Sequence, residues 1–250
     1  LIRPSLQHIR LDLVNCGEYQ LLKSQRNLKS LEPLEFIDES IYDGWNSTLE
    51  HLMIANNSLS DFNQTQLSIT SLVCLRTISI GSDCFKNVTV FQLSNLPVLK
   101  SVVIGEGSFT PPYRWTSERN QLGRGKSSFL CYNCPNLTTL VISPNAFVLY
   151  SSFTLSKLNR LTHLMIGGLQ TNSNNFLKAS KCDLKNLPAL QTIIFGNNSF
   201  PTVKLLSLKQ LTSLQEVVFG MDSIQGDINN IRRKRKSTSE YKNRLALGGY

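Results

Sequence analysis

The chain lacks most of what membrane insertion or catalysis would require. No apolar run reaches the roughly 18 residues that a membrane helix needs, so no helical span is expected. The first residues, LIRPSLQHIR, lack the basic, apolar and small-residue zones of a secretory signal. Position 1 is Leu and not Met, so the expectation is an excised fragment of a longer protein, and the missing signal leaves the compartment open. The sequence has no P-loop, no nucleophile elbow and no G-x-G-x-x-G turn. With only three histidines in 250 residues, no Ser-His-Asp set is brought together. No cofactor, no small-molecule substrate and no catalysis are expected.

Charge is sparse and uneven. The formal net charge is +9. Most of it sits in two stretches. Residues 227–250 carry Arg232, Arg233, Lys234, Arg235, Lys236, Lys242 and Arg244 against Asp227 and Glu240. Residues 110–128 carry Arg114, Arg119, Arg124 and Lys126 against Glu118. The remainder is nearly neutral, so the basic balance belongs to appendages and does not imply a whole-domain nucleic-acid surface.

What the chain does have is a repeat. Apolar residues recur at offsets 0, 3, 5 and 10 in Leu75, Ile78, Ile80, Phe85; in Leu99, Val102, Ile104, Phe109; and in Leu137, Leu140, Ile142, Phe147. The same spacing gives Leu190, Ile193, Phe195, Phe200 and Leu214, Val217, Phe219, Ile224. Earlier sets open at Leu6, Leu31 and Leu49, and one that opens at Leu161 departs from the pattern at Thr171. That makes nine units, with steps of 25, 18, 26, 24, 38, 24, 29 and 24 between opening leucines. One unit cannot bury its apolar edge alone, whereas stacked units share a continuous core.

This pattern resembles the leucine-rich repeat, L-x-x-L-x-L-x-x-N-x-L. The family's Asn position holds Asn57, Asn145 and Asn198, with Asp83 and Asp222 as polar stand-ins, while Val14, Glu39, Gly107 and Leu169 depart from it. The resemblance spans roughly residues 6–224. A looser I-G-x-x-[SA]-F flavour is similar to BspA-type microbial surface repeats. The resemblance implies a solenoid with a curved parallel β-sheet on its concave face and a non-catalytic role in binding another protein. The BspA-like flavour adds an alternative, cell-surface adhesion. The second half of each unit repeats as Phe91, Leu93, Leu96, Pro97; as Phe129, Cys131, Cys134, Pro135; and as Cys182, Leu184, Leu187, Pro188. This predicts short strands or 3₁₀ turns on the convex side. The organisation is therefore a solenoid over residues 1–226, rim insertions near 110–128 and 167–181, and a basic tail over 227–250.

Strand alternation turns every second residue outward. One outward column reads Arg10, Glu35, Met53, Ser79, Val103, Val141, Met165, Ile194 and Val218. Its last five members form the candidate partner-binding stripe, because exposed apolar patches mark interaction sites. The competing reading is β-propensity on a shallow sheet. The first insertion adds Tyr113, Arg114 and Trp115, residue types found at binding hot spots, or else is a tolerated loop. The second insertion is polar and reads as flexible. Gly81, Gly105, Gly167, Gly196 and Gly220 recur at one place and read as sharp strand ends or positive φ.

His8, His51 and His163 share one outward column. Their units imply separations of roughly 10 and 19 Å, too far apart for one metal. Cys131-x-x-Cys134 has zinc-like spacing, but both residues stand where sibling units hold Leu, so they read as core. The cysteine set lacks the paired caps of extracellular leucine-rich repeats and leans toward a reducing, intracellular compartment, with the cell surface left open. Six glycosylation sequons, at Asn46, Asn56, Asn63, Asn87, Asn136 and Asn197, stand against about four expected by chance. The tail reads as disordered. Its Arg232, Arg233, Lys234, Arg235 and Lys236 suit weak contacts with nucleic acid or lipid, a solubilising role, or a shield over the edge of the last unit.

Overall fold

A computed structural model describes residues 8–11 (backbone only), 49–60, 64–70, 72–111 and 127–226. The chain winds between two sheets. Strands alternate in chain order: β1 (His8–Leu11), β2 (His51–Ile54), β3 (Gln66–Thr70), β4 (Thr77–Ile80), β5 (Val90–Ser94), β6 (Ser101–Ile104) and β7 (Ser128–Tyr132). Then come β8 (Thr139–Ile142), β9 (Ser152–Ser156), β10 (His163–Ile166), β11 (Lys181–Lys185), β12 (Thr192–Phe195), β13 (Leu205–Lys209) and β14 (Glu216–Phe219). One sheet has eight strands in the order β1-β2-β4-β6-β8-β10-β12-β14. The other has six, β3-β5-β7-β9-β11-β13. All pairings given are parallel. This is an all-β solenoid of repeated units, and no helix occurs among the described residues.

The four-residue strands carry the L-x-L core of each repeat, and alternation buries Leu52 with Ile54, Val102 with Ile104 and Leu140 with Ile142. The five-residue strands carry the F-x-L pattern and bury Phe91 with Leu93, Phe129 with Cys131 and Phe153 with Leu155. The second side is thus a continuous sheet rather than isolated strands or 3₁₀ turns. The L-x-x-L that follows is a single tight turn: Leu137 N–H donates to the Cys134 carbonyl at 3.1 Å and Leu190 N–H to Leu187 at 3.2 Å.

The first turn of each unit holds two left-handed residues. A polar one (Asn57, Asp83, Asn145, Asn174, Asn198, Asp222) precedes an apolar one (Leu59, Phe85, Phe147, Phe176, Phe200, Ile224) by two positions. Asn and Asp tolerate this region, whereas Phe there is strained. The phenylalanines are held by stacking on one another. Successive ring centroids along Phe85, Phe109, Phe147, Phe176 and Phe200 lie 5.3, 4.6, 5.4 and 4.6 Å apart, within 17° of parallel. Each such contact contributes about 0.5–1.5 kcal/mol beyond burial.

Three expectations change here. First, β1 pairs directly with β2, His8 opposite His51, so no strand from the Leu31 set stands between them. The Leu31 set itself lies outside the described residues. His8 and His51 are therefore neighbours, while His163 lies four strands beyond His51. Second, the unit opening at Leu161 regains its register. Five extra residues, 169–173, displace the turn, so Asn174 and Phe176 fill the places that counting assigns to Leu169 and Thr171. This segment is tied down: Ser173 is buried, and its hydroxyl accepts from Gly168 N–H at 2.6 Å and donates to the Gly168 carbonyl at 2.8 Å. Third, of the repeated glycines only Gly167 has positive φ. At Gly105 an added Cβ would fall 2.4 Å from the Gly81 carbonyl carbon. The column exists because neighbouring turns touch backbone to backbone.

Candidate functional site

The outer face of the eight-stranded sheet gathers the predicted stripe. Register sets Met53 opposite Ser79, then Val103, Val141, Met165, Ile194 and Val218 in one row across consecutive strands. At about 4.8 Å per strand the row runs roughly 29 Å. Met53 is 44% exposed, Val103 37% and Met165 38%. Val141, Ile194 and Val218 are half-buried beside them. All five stripe candidates, Val103, Val141, Met165, Ile194 and Val218, thus lie on one face in one line.

The flanking column reads His51, Thr77, Ser101, Thr139, His163, Thr192 and Glu216. His51 Nδ1 and the Thr77 hydroxyl lie 2.7 Å apart in a hydrogen bond. From β2 to β14 neither column contains Lys or Arg, and Glu216 is the single carboxylate.

The opposite sheet turns a different chemistry outward. Its middle column is Ser68, Gln92, Leu130, Thr154, Asp183 and Ser207. Lys181 pairs with Asp183 at 3.1 Å. Burial alone would raise the Asp183 pKa, but hydrogen bonds from Ser207 and Lys181 and the charges of Lys181 and Lys209 hold it below the usual carboxylate range.

Polar ladders fix the turns between the sheets. Asn198 Nδ2 donates to Asn174 Oδ1 at 2.7 Å, Asn174 Nδ2 to Asn145 Oδ1 at 2.9 Å, and Asn145 Nδ2 to Glu106 Oε1 at 3.1 Å. Gly107 stands where sibling units have Asn or Asp, and Glu106, one residue earlier, receives the ladder there. Three sequon asparagines also serve as inter-unit struts. Asn56 Oδ1 accepts from Ser82 N–H at 2.8 Å, Asn136 Nδ2 donates to the Pro97 carbonyl at 2.6 Å, and Asn197 Nδ2 donates to the Leu169 carbonyl at 2.8 Å.

Comparison with protein-family models, with curated proteins and with solved structures found no match.

Four cysteines are core residues, Cys74 is half-buried, and Cys16 lies outside the described residues. Cys84, Cys131, Cys134 and Cys182 are fully buried. A hydrogen bond with Cys134, together with burial, holds Cys131 protonated well above the ordinary thiol range. Burial also pushes Cys84 up to about 11, against hydrogen bonds from Ser58 and Ser108. Among the described residues no three His, Cys, Asp or Glu side chains converge as a metal site. Tyr113, Arg114, Trp115 and the run Arg232, Arg233, Lys234, Arg235 and Lys236 lie outside the described residues.

One residue escaped the sequence reading. Sibling units bury an apolar side chain three positions after the turn phenylalanine: Val88, Ala179 and Val203. After Phe109 that place belongs to the insertion. Tyr150, from the next unit, reaches across it, and its hydroxyl donates to the Val88 carbonyl at 2.8 Å. A cavity of about 290 Å³ remains beside it, lined by Val88, Phe109, Pro111 and Leu149.

Proposed function

We propose that the chain is a protein-binding scaffold of leucine-rich-repeat type, without catalytic activity, whose partner lies on the outer face of the eight-stranded sheet. The observation that carries this reading is the in-register row from Met53 to Val218, which is apolar at every place but Ser79. Its flanks are almost uncharged. Such a surface costs little to desolvate and offers methyl and thioether groups over a broad, flat area. The opposite face, with Lys181, Asp183, Lys185 and Lys209 outward, would lose more hydration on contact. The leucine-rich-repeat assignment rests on the L-x-x-L-x-L spacing and on the Asn ladder at the family's Asn position.

The test uses the full chain and a double variant, Val141→Lys with Ile194→Lys. Both side chains point outward, so stability should change by no more than about 0.5 kcal/mol. Proteins captured from source-cell lysate and identified by mass spectrometry should fall about tenfold in yield with the variant, consistent with loss of central anchors. They should persist at high salt. Capture untouched by the double substitution overturns the reading. Capture abolished by salt moves the interaction to the basic segments.

A further inference from the structure

The two ends of the stack differ in a way the repeat alone does not explain. Among the described strands β3 is the outermost of its sheet, yet Leu67 and Ile69 are only 2% and 0% exposed. β13 and β14 are outermost at the other end, and there Leu208 is 37% exposed and Phe219 39%. Leu206, Leu211, Leu214, Val217 and Ile224 are only partly buried. These residues occupy places that are fully buried in the units before them. Together they form an apolar end face, bounded by two strand edges whose outward backbone groups have no neighbouring strand among the described residues.

The chain leaves this end at Gly226, two residues beyond Ile224, and continues through residues 227–250. That stretch does not carry the apolar spacing of the repeat. The places matching the inward Leu206 and Leu208 of β13 fall on Asn230 and Arg232, and the next on Arg235. It does hold isolated apolar residues, beginning with Ile228 and Ile231. An extended chain spans about 3.3 Å per residue, so the five steps from Gly226 to Ile231 reach roughly 17 Å. The two sheets of a sandwich lie about 10 Å apart. Ile231 can therefore reach across to the second strand edge, while Ile228, two steps or roughly 7 Å from Gly226, stays beside the nearer one.

We propose that residues 227–250 are the cap of this solenoid. Ile228 and Ile231 would supply the apolar cover for Leu206, Leu208, Val217 and Phe219. The cap closes an edge that would otherwise template association with other chains. This inference is independent of the partner face, since it concerns the end of the stack.

The experiment is hydrogen–deuterium exchange on the full chain, with mass measured by light scattering. The chain should be monomeric, with amides of residues 205–224 protected. Ile228→Asp with Ile231→Asp should speed exchange there by about tenfold or more while β8 stays protected, because local and global opening are separable. Arg233→Glu with Lys234→Glu should leave it unchanged. If the aspartate pair unfolds the whole chain, seen as loss of protection at β8, then Ile228→Ala with Ile231→Ala gives the same local reading. Exchange over 205–224 indifferent to the isoleucines overturns the cap. So does a dimer whose dissociation on dilution exposes that end, which would make a second copy the cover.

Discussion

Phe147 and Ile224 hold the same place in their units, at the left-handed turn that follows a strand of the larger sheet. Their surroundings differ. Phe147 is fully buried, with Phe109 stacked 4.6 Å away on one side and Phe176 5.4 Å away on the other. Ile224 is partly exposed and is tied to the preceding unit through its N–H, which donates to the Ser199 carbonyl at 3.1 Å. A repeat unit therefore has no fixed stability. Its contribution comes mainly from two interfaces, and the last described unit has one of them.

The sharpest way to break this comparison is to remove both side chains in turn. Phe147→Ala should destabilise the protein by about 3–5 kcal/mol, since its neighbours belong to three units and cannot all collapse into the space. Ile224→Ala should cost about 1–2 kcal/mol, below the usual range for a buried residue because the site is half open. Urea denaturation followed by far-UV circular dichroism would measure both. Equal losses would mean that burial at the turn, and not the number of neighbours, sets the cost.

Much of this organisation was legible in the sequence, and the exceptions have physical causes. The spacing of Leu, Ile and Phe identified the inward columns because alternation and stacking leave little choice. The outward row from Val103 to Val218 followed from the same counting. Counting failed where residues were inserted. After Leu161 a fixed offset lands on Leu169 and Thr171, although the N-x-F pair of Asn145 with Phe147 and of Asn198 with Phe200 recurs as Asn174 with Phe176. A search for that pair, free of the offset, would have found the turn. The direct pairing of β1 with β2 was hidden because the Leu31 set carries the same apolar spacing, so counting placed it between them. The role of Tyr150 was illegible because it compensates for a neighbour's insertion, and such a relation is written in three dimensions only. For the glycine column the sequence marked the place but pointed to sharp strand ends or positive φ, and the close approach of neighbouring backbones went unread.

That cause can be tested next. At Gly105 a Cβ would meet the backbone of the preceding turn at 2.4–2.5 Å, whereas at Gly168 it would meet nothing within 4 Å. Gly105→Ala should cost about 1–3 kcal/mol through overpacking against a backbone that cannot rotate away. Gly168→Ala should stay within about 0.5 kcal/mol of the parent. If both are neutral by the same denaturation measurement, the turns are looser than their contacts imply.

The smallest effect returns to the middle and the end of the stack through the asparagine ladder. Asn174 donates to Asn145 and accepts from Asn198, so it links three units. Asp222 holds the matching turn position in the last unit and accepts from Gln225 of that same unit at 2.6 Å. Both residues have positive φ, 50° and 58°. Replacement by Ala would add backbone strain at each and blur the comparison. Glycine adopts this conformation freely, so Asn174→Gly and Asp222→Gly isolate the side-chain bonds. A hydrogen bond contributes about 0.5–1.5 kcal/mol net. Asn174→Gly should therefore lose about 1 kcal/mol or slightly more, because its ladder partners keep partial access to water. Asp222→Gly should lose a few tenths, since its bond to Gln225 is local and exposed. A loss at Asp222 as large as that at Asn174 would locate the stabilisation within the turn itself, and the ladder would then be a consequence of stacking and not one of its causes.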